Sequence, residues 1–395
     1  MDVRLSERIQ RIKPSPTLAM TARAAALKAA GRDIIGLGAG EPDFDTPDHI
    51  KEAAIEAIRR GFTKYTAVDG IPSLKRAIVE KFARENQLSY TPAQVIVSVG
   101  GKQSFFNLAQ SLLNTGDEVI IPAPFWVSYP DMVMLADGVP VIVPTSIEQG
   151  FKITPAQLAS AITARTRLFV MNSPSNPTGV SYTRAELAQL GNVLRRFPEV
   201  MIATDDMYEH IRWGTEPFCN ILNACPDLYD RTIVLNGVSK TYAMTGWRIG
   251  YCAGPQPLIT AMANIQSQST SNPTSIAQVA AQAALEGGLD CIKPMVAAFQ
   301  ARHDYMVATL NRMPGVRCLP GDGTFYALPD VSGAIAALPG INDDMELAEY
   351  LIEHAGIAVV PGGAFGAPGY VRLSFATSMA NLEAALGRMA AVFGR

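Results

Sequence analysis

The sequence predicts an α/β protein whose larger part is built on a mostly parallel sheet, with a smaller α+β region at its carboxyl end. Three observations carry that prediction. Between about residues 95 and 255, short runs rich in β-branched residues alternate with longer amphipathic stretches, the pattern of successive βαβ units. From about Asp290 the alternation gives way to one long helical stretch and a few short strand-like runs. The chain has 395 residues, 48% of them hydrophobic and 17% charged, enough for roughly two to three packed units, and it shows no repeat or low-complexity tract.

The elements follow in order. Residues 1–50 are interrupted by Pro14-Ser15-Pro16 and Gly38-Ala39-Gly40, so they are expected to pack with the carboxyl-terminal region rather than fold as a unit. Strands are expected at 95–99, 118–121, 167–171, 200–204, 232–235 and 249–253, each a short, mainly apolar run with at least one Val or Ile. Helices are expected at 103–114, 183–197 and 256–270, between or just after those strands. Beyond 290 come a helix over 293–313 and strands near 323–328, 357–360 and 370–375. The expected division is an N-terminal arm with part of a small domain (1–48), a large domain (49–289) and the rest of the small domain (290–395).

Composition narrows the function. The charge balance is 33 − 36 = −3 with no basic run, which leaves no electrostatic footprint for nucleic acid or an anionic membrane. A small-molecule partner is expected instead. The first sixteen residues carry Arg4, Arg8, Arg11 and Lys13 with no apolar core behind them, unlike a secretory leader, and no apolar run is long enough for a membrane span. Five cysteines without a CxxC pair and four isolated histidines fit a reduced, cytoplasmic protein with no structural metal.

In open parallel sheets ligands gather beyond the carboxyl ends of the strands, so the residues just after each strand are the candidates for a site. After the first strand, Gly100-Gly101-Lys102 enters a helix, where bare amides and the helix dipole suit a phosphate, although a tight turn uses the same glycines. After the second comes Trp126, either a stacking face for an aromatic ring or plain core. The third runs into the proline-punctuated loop 172–179, which holds Asn176 in a rigid setting or merely stiffens a turn. The fourth ends on Asp205, with Tyr208, Glu209 and His210 behind it; a carboxylate there is costly to desolvate without a cationic partner. The fifth delivers Ser239 and Lys240, and Arg248 precedes the sixth. A lysine that forms an imine must be neutral near pH 7 despite a free pKa of about 10.4, which desolvation and nearby cations can achieve. Taken together the set matches the contacts of pyridoxal 5'-phosphate: an imine lysine, a carboxylate for the pyridine nitrogen, a phosphate cradle with an arginine, a stacking ring and donors for the ring oxygen.

Those residues, with Ala39-Gly40-Glu41-Pro42-Asp43-Phe44, Lys64-Tyr65, Trp126-Val127-Ser128-Tyr129-Pro130 and Val371-Arg372-Leu373-Ser374, occur in an order that resembles class I aminotransferases of pyridoxal phosphate fold type I, most closely the bacterial aspartate aminotransferase subgroup. The resemblance runs through nearly the whole chain. It implies the following roles. Lys240 anchors the cofactor and shuttles a proton at the substrate α-carbon. Asp205 pairs with the pyridine nitrogen, Tyr208 and Asn176 bond the ring oxygen, and Trp126 stacks on the ring. Gly101, Lys102, Ser239 and Arg248 bind the phosphate, joined by Tyr65 from the second subunit of a homodimer with shared sites. Arg372 grips the α-carboxylate with Gly40, Trp126 and Asn176 around it, and Ser15, Thr17 and Lys102 read an acidic side chain. Aspartate with 2-oxoglutarate is the expected substrate pair, and relatives that transaminate prephenate share these residues. A lyase on the same fold would share Lys240 and Asp205, and a regulatory protein would need a DNA-binding appendage for which residues 1–30 are too short. The chain departs from the family pattern at Asp206-Met207, where Glu-Ile is usual, and at Ser175, where a second asparagine is usual.

Overall fold

The computed structural model describes residues 3–12, 14, 16–214 and 216–394. Twelve strands are present among them: β1 (Ile35–Gly36), β2 (Val95–Ser98), β3 (Glu118–Ala123), β4 (Val139–Pro144), β5 (Thr166–Asn172), β6 (Met201–Asp205), β7 (Thr232–Gly237), β8 (Gly250–Ala253), β9 (Tyr326–Ala327), β10 (Ile357–Ala358), β11 (Val360–Pro361) and β12 (Val371–Ser374). Seven of them form the main sheet in the order β2-β8-β7-β6-β5-β3-β4. The central strands are apolar on both faces because helices cover both sides of the sheet: Leu168, Phe169, Ile202, Ala203, Ile233 and Val234 are all fully buried. The helix Arg184–Leu194 shows how the intervening segments start; Thr183 accepts from the Glu186 amide at 3.2 Å while the Glu186 carboxylate accepts from the Thr183 amide at 2.7 Å.

All six strands expected in this region are present, and two features differ from the expectation. β4 is an additional edge strand. Its sequence Val-Pro-Val-Ile-Val-Pro places proline where a central strand would need an amide donor, so proline masks the strand pattern, and the strand lies at the sheet edge with Val139 and Ile142 exposed. β8 is antiparallel to both of its neighbours, β2 and β7. That reversal has a consequence for the site: β8 begins at the edge where β7 ends, so the residues just before β8 sit beside the residues just after β7.

The expected carboxyl-terminal elements are present in shorter form. The long helix spans Lys293–Leu310, and the run near 357–360 splits into two strands that join different sheets. β10 pairs in parallel with β1, Ile35 opposite Ile357, which ties the first fifty residues to the carboxyl-terminal region. β11 and β9 flank β12, bringing Arg372 into the middle of a three-stranded antiparallel sheet.

Candidate active site

A cavity of about 440 Å³ opens at the carboxyl ends of the central strands. Asn172 and Asp205 end β5 and β6, Ser239 and Lys240 follow β7, and Gly101 and Lys102 open the helix Gly101–Leu112 after β2; all line the cavity. Trp126 follows β3, and Arg248 precedes the antiparallel β8. The opposite wall comes from elsewhere in the chain: Thr17 from the helix Pro16–Ala29, Gly40 after β1, Tyr326 in β9 and Arg372 in β12. With Asn176 and Tyr208, every expected site residue except Tyr65 and Ser15 lines this one cavity. Tyr65 is 92% exposed on the surface of this chain, and Ser15 lies outside the described residues.

Lys240 faces the cavity from surroundings that are otherwise protein. Burial pushes its ammonium down to about 8, opposed by Glu41 and assisted by Arg248 and Arg372. Its Nζ donates to the Gly40 carbonyl at 2.5 Å. Gly40 therefore meets the lysine through its carbonyl, and a Cβ there would come within 3.3 Å of the Tyr326 hydroxyl. On the sheet side, burial raises the Asp205 carboxyl, while the Tyr129 hydroxyl donating at 2.5 Å and the Met207 amide at 3.2 Å pull it back. Asp205 has no ion-pair partner among the described residues, so a cation in the cavity would be its natural complement. The Asn172 side chain donates to the Asp205 carbonyl at 2.8 Å and accepts from the Asn176 amide at 2.7 Å, coupling the ends of β5 and β6.

The glycines at the helix entrance are explained by contact. Gly100 has φ 81°, and a Cβ on it would lie 2.4 Å from the Arg248 guanidinium; a Cβ on Gly101 would lie 2.6 Å from Met207. Arg248 itself has φ 58°, an uncommon conformation for a residue with a side chain, and donates to the Thr245 carbonyl at 2.8 Å. An arginine is thus held against the first turn of a helix, whose leading amides have no partners within the helix. Lys102 lies exposed at the same rim, its Nζ 5.3 Å from the Trp126 ring, with its pKa lowered by partial burial and by Arg248.

Arg372 is 2% exposed. Its guanidinium donates to Asn176 Oδ1 at 3.0 Å and to the Gly38 carbonyl at 2.8 Å, and the Tyr326 and Phe365 rings lie 4.3 and 4.9 Å from its central carbon. Its Nε is buried without a partner. An arginine this enclosed, with no carboxylate bonded to it, is suited to a bidentate anion that arrives from the cavity.

Two residues of the site were not singled out from the sequence. Tyr129 carries no signal of its own within the motif Trp126-Val127-Ser128-Tyr129-Pro130, yet it is the donor to Asp205. Tyr326 had no signal beyond its place in an apolar run; its hydroxyl lies 3.2 Å from that of Tyr208, which is 118 residues away in the chain.

Fold and site together define an enzyme of the fold type I architecture, the scaffold of pyridoxal phosphate enzymes. The chain belongs to the aminotransferase class I and II family, whose family model matches residues 32–389. An aspartate/prephenate aminotransferase of Nitrosomonas europaea is 61% identical to it, covering 99% of this chain and 100% of that one. An aspartate aminotransferase of Geobacillus stearothermophilus is 50% identical, covering 98% of each chain. Among solved structures, the aspartate aminotransferase of Rhizobium meliloti has a TM-score of 0.96 at 47% identity with both chains fully covered. That of Thermus thermophilus with maleate has a TM-score of 0.93 at 45% identity, covering 99% of this chain and 100% of that one.

Proposed function

We propose that this enzyme holds pyridoxal phosphate in the cavity and moves an amino group between L-aspartate and 2-oxoglutarate. The observation that carries the reading is the buried Arg372, its Nε unpaired, in the same cavity as the depressed-pKa Lys240 and the cationic rim of Lys102. The residues fit the cofactor on structural grounds: Asp205 is a carboxylate without a cation, Gly100 and Gly101 leave a bare cradle against Arg248, and Trp126 and Tyr208 flank the space between. Pyridoxal phosphate, when bound, supplies an electron sink for the amino acid's α-carbon.

The chain's own groups then have separable tasks. Lys240 would anchor the cofactor's aldehyde and is the group placed to move the proton of the substrate α-carbon; a pKa near 8 keeps a usable fraction of neutral amine at neutral pH. Asp205 would favour a protonated pyridine nitrogen, and its bond from Tyr129 opposes the rise that burial imposes on the carboxyl. Gly101, Lys102, Ser239 and Arg248 hold the phosphate. Arg372 fixes the α-carboxylate, with Asn176 bracing the guanidinium at 3.0 Å. Thr17 and Lys102 line the part of the cavity left for a distal carboxylate, and Ser15, outside the described residues, is assigned to the same task; a neutral side chain would leave Lys102 uncompensated, which gives acidic substrates their advantage.

We also propose a homodimer in which Tyr65 of each chain completes the other's phosphate site, in keeping with its exposure and with the exposed Ile55, Ile58 and Phe62 nearby in the chain. The division into an arm at 1–48, a large domain at 49–289 and a small domain at 290–395 belongs to the same proposal, as does a cytoplasmic location. No helix among the described residues is long and apolar enough to cross a membrane.

Prephenate as amino acceptor is a second reading, favoured by the name of the Nitrosomonas relative. A panel of amino donors against 2-oxoglutarate, with prephenate included as acceptor, tests both. Aspartate as preferred donor supports the first reading, efficient amination of prephenate supports the second alongside it, and a flat profile overturns the substrate assignment.

A further inference from the structure

We propose that Tyr326 is a positioning residue that joins the two halves of the site, its hydroxyl setting the donor strength of Tyr208 and its ring holding the guanidinium of Arg372. The inference rests on the functional reading above. Tyr326 is 1% exposed and lines the cavity. Its hydroxyl is 3.2 Å from the Tyr208 hydroxyl, and its ring lies 4.3 Å from the central carbon of the Arg372 guanidinium. One side chain therefore touches both the tyrosine assigned to the cofactor and the arginine assigned to the substrate.

The backbone around Tyr326 is held unusually firmly. Thr324, two residues before it, has φ 68°, which is strained for a β-branched residue and persists only where surrounding structure enforces it. The enforcement is visible. The Thr324 amide donates to the Ile211 carbonyl at 2.8 Å, and the amides of Asp322 and Gly323 donate to the Gly179 carbonyl at 2.8 and 3.0 Å. The Thr324 hydroxyl accepts from the Tyr326 amide at 3.2 Å. The loop before β9 is thereby tied to the two segments that follow Asn176 and Tyr208, and the ring of Tyr326 is aimed between them.

Proton counting fixes the direction of the hydroxyl contact. Each tyrosine has one proton to donate. If Tyr208 donates toward the cofactor's ring oxygen, the contact between the two tyrosines is donated by Tyr326. A hydroxyl that accepts one hydrogen bond becomes a stronger donor in the next, so Tyr326 strengthens the donation from Tyr208 and steadies negative charge on the ring oxygen. The charged and titratable groups facing the pair are Arg372 from β12, Asp205 from β6, Lys240 after β7 and Glu41 after β1. Tyr326→Phe alters none of them directly.

The test compares the wild-type holoenzyme with Tyr326→Phe and Tyr326→Leu in two measurements: the pH titration of the bound cofactor's visible absorption, and the Kd for succinate, a four-carbon dicarboxylate with no amino group to react. Removing the hydroxyl weakens stabilisation of the ring oxygen, so the neighbouring nitrogen keeps its proton to higher pH. Tyr326→Phe is expected to raise the absorption midpoint by about 0.5 to 1 pH unit, the equivalent of one hydrogen bond, and to leave the succinate Kd within about twofold. Tyr326→Leu is expected to raise the midpoint as much and also to weaken succinate by about five- to tenfold through loss of the ring under the guanidinium. A midpoint moved by less than about 0.2 unit in Tyr326→Phe, or equal losses of succinate binding in both variants, would overturn the inference while leaving the functional reading intact. A wild-type protein with no titrating absorption band would overturn the functional reading and this inference with it.

Discussion

Arg372→Lys separates the charge of the substrate clamp from its geometry. The guanidinium holds Asn176 Oδ1 at 3.0 Å and the Gly38 carbonyl at 2.8 Å with two of its nitrogens, and two rings lie within 5 Å of its central carbon. A lysine keeps the positive charge but is a point donor without a planar fork, so it cannot hold both braces and still present two parallel donors to a carboxylate. Losing one charge-assisted hydrogen bond to the substrate costs about 1.5 to 3 kcal/mol, and losing the ring contact adds about 1 kcal/mol. The sum, about 3 kcal/mol, corresponds to roughly a hundredfold fall in kcat/KM. Steady-state assay of L-aspartate with 2-oxoglutarate measures it, with thermal unfolding alongside to confirm that the variant is folded. A kcat/KM within about threefold of wild type would refute the reasoning, because the fork would then carry none of the binding assigned to it.

Further outcomes follow from the same geometry. Tyr129→Phe removes the hydroxyl donor from a buried carboxylate, and the Kd for pyridoxal phosphate is expected to rise about tenfold or more in a titration of apoenzyme. Lys102→Met is expected to lower kcat/KM for aspartate at least about tenfold more than for phenylalanine, since only the acidic substrate loses its counter-charge; equal losses would contradict the specificity reading. In the apoenzyme Lys240 has a folded pKa near 8 against 10.5 for the free side chain, so between those values the unfolded chain binds the extra proton and stability rises with pH through that window. Lys240→Met should therefore be more stable than wild type at pH 7, by chemical denaturation of the apoenzymes, and should lack that rise between about pH 8 and 10.5.

The half of the site that hangs from the sheet was legible because topology places it. Strands rich in Val and Ile announce themselves, and the residues that follow them must lie along one edge, so Asp205, Ser239 and Lys240 could be named before any contact was known. What strand periodicity cannot report is partnership across distance. The Tyr129–Asp205 bond spans 76 residues and the Tyr208–Tyr326 contact spans 118; nothing local marks either tyrosine as different from a core aromatic. Glu209 is a similar case. It follows Tyr208 with nothing local to mark a partner, yet it is 3% exposed and paired with the equally buried Lys81, with Asn86 and Asn236 donating to it at 2.6 and 2.7 Å. That pairing holds its carboxyl down at about 2 despite burial and anchors the segment bearing Asp205 and Tyr208 from beneath. Hidden strand β4 has a different cause: its prolines mimic a loop, and only an edge position reconciles them with pairing.

The central claim is that Lys240 is both the anchor of the cofactor and the base that moves the substrate's α-proton. Lys240→Ala tests it most directly, by transamination turnover of L-aspartate with 2-oxoglutarate on a variant shown to be folded and saturated with pyridoxal phosphate. The account predicts turnover reduced at least about ten-thousandfold, with pyridoxal phosphate still bound noncovalently through Asp205, Arg248 and Gly101. Turnover at the wild-type rate would contradict it.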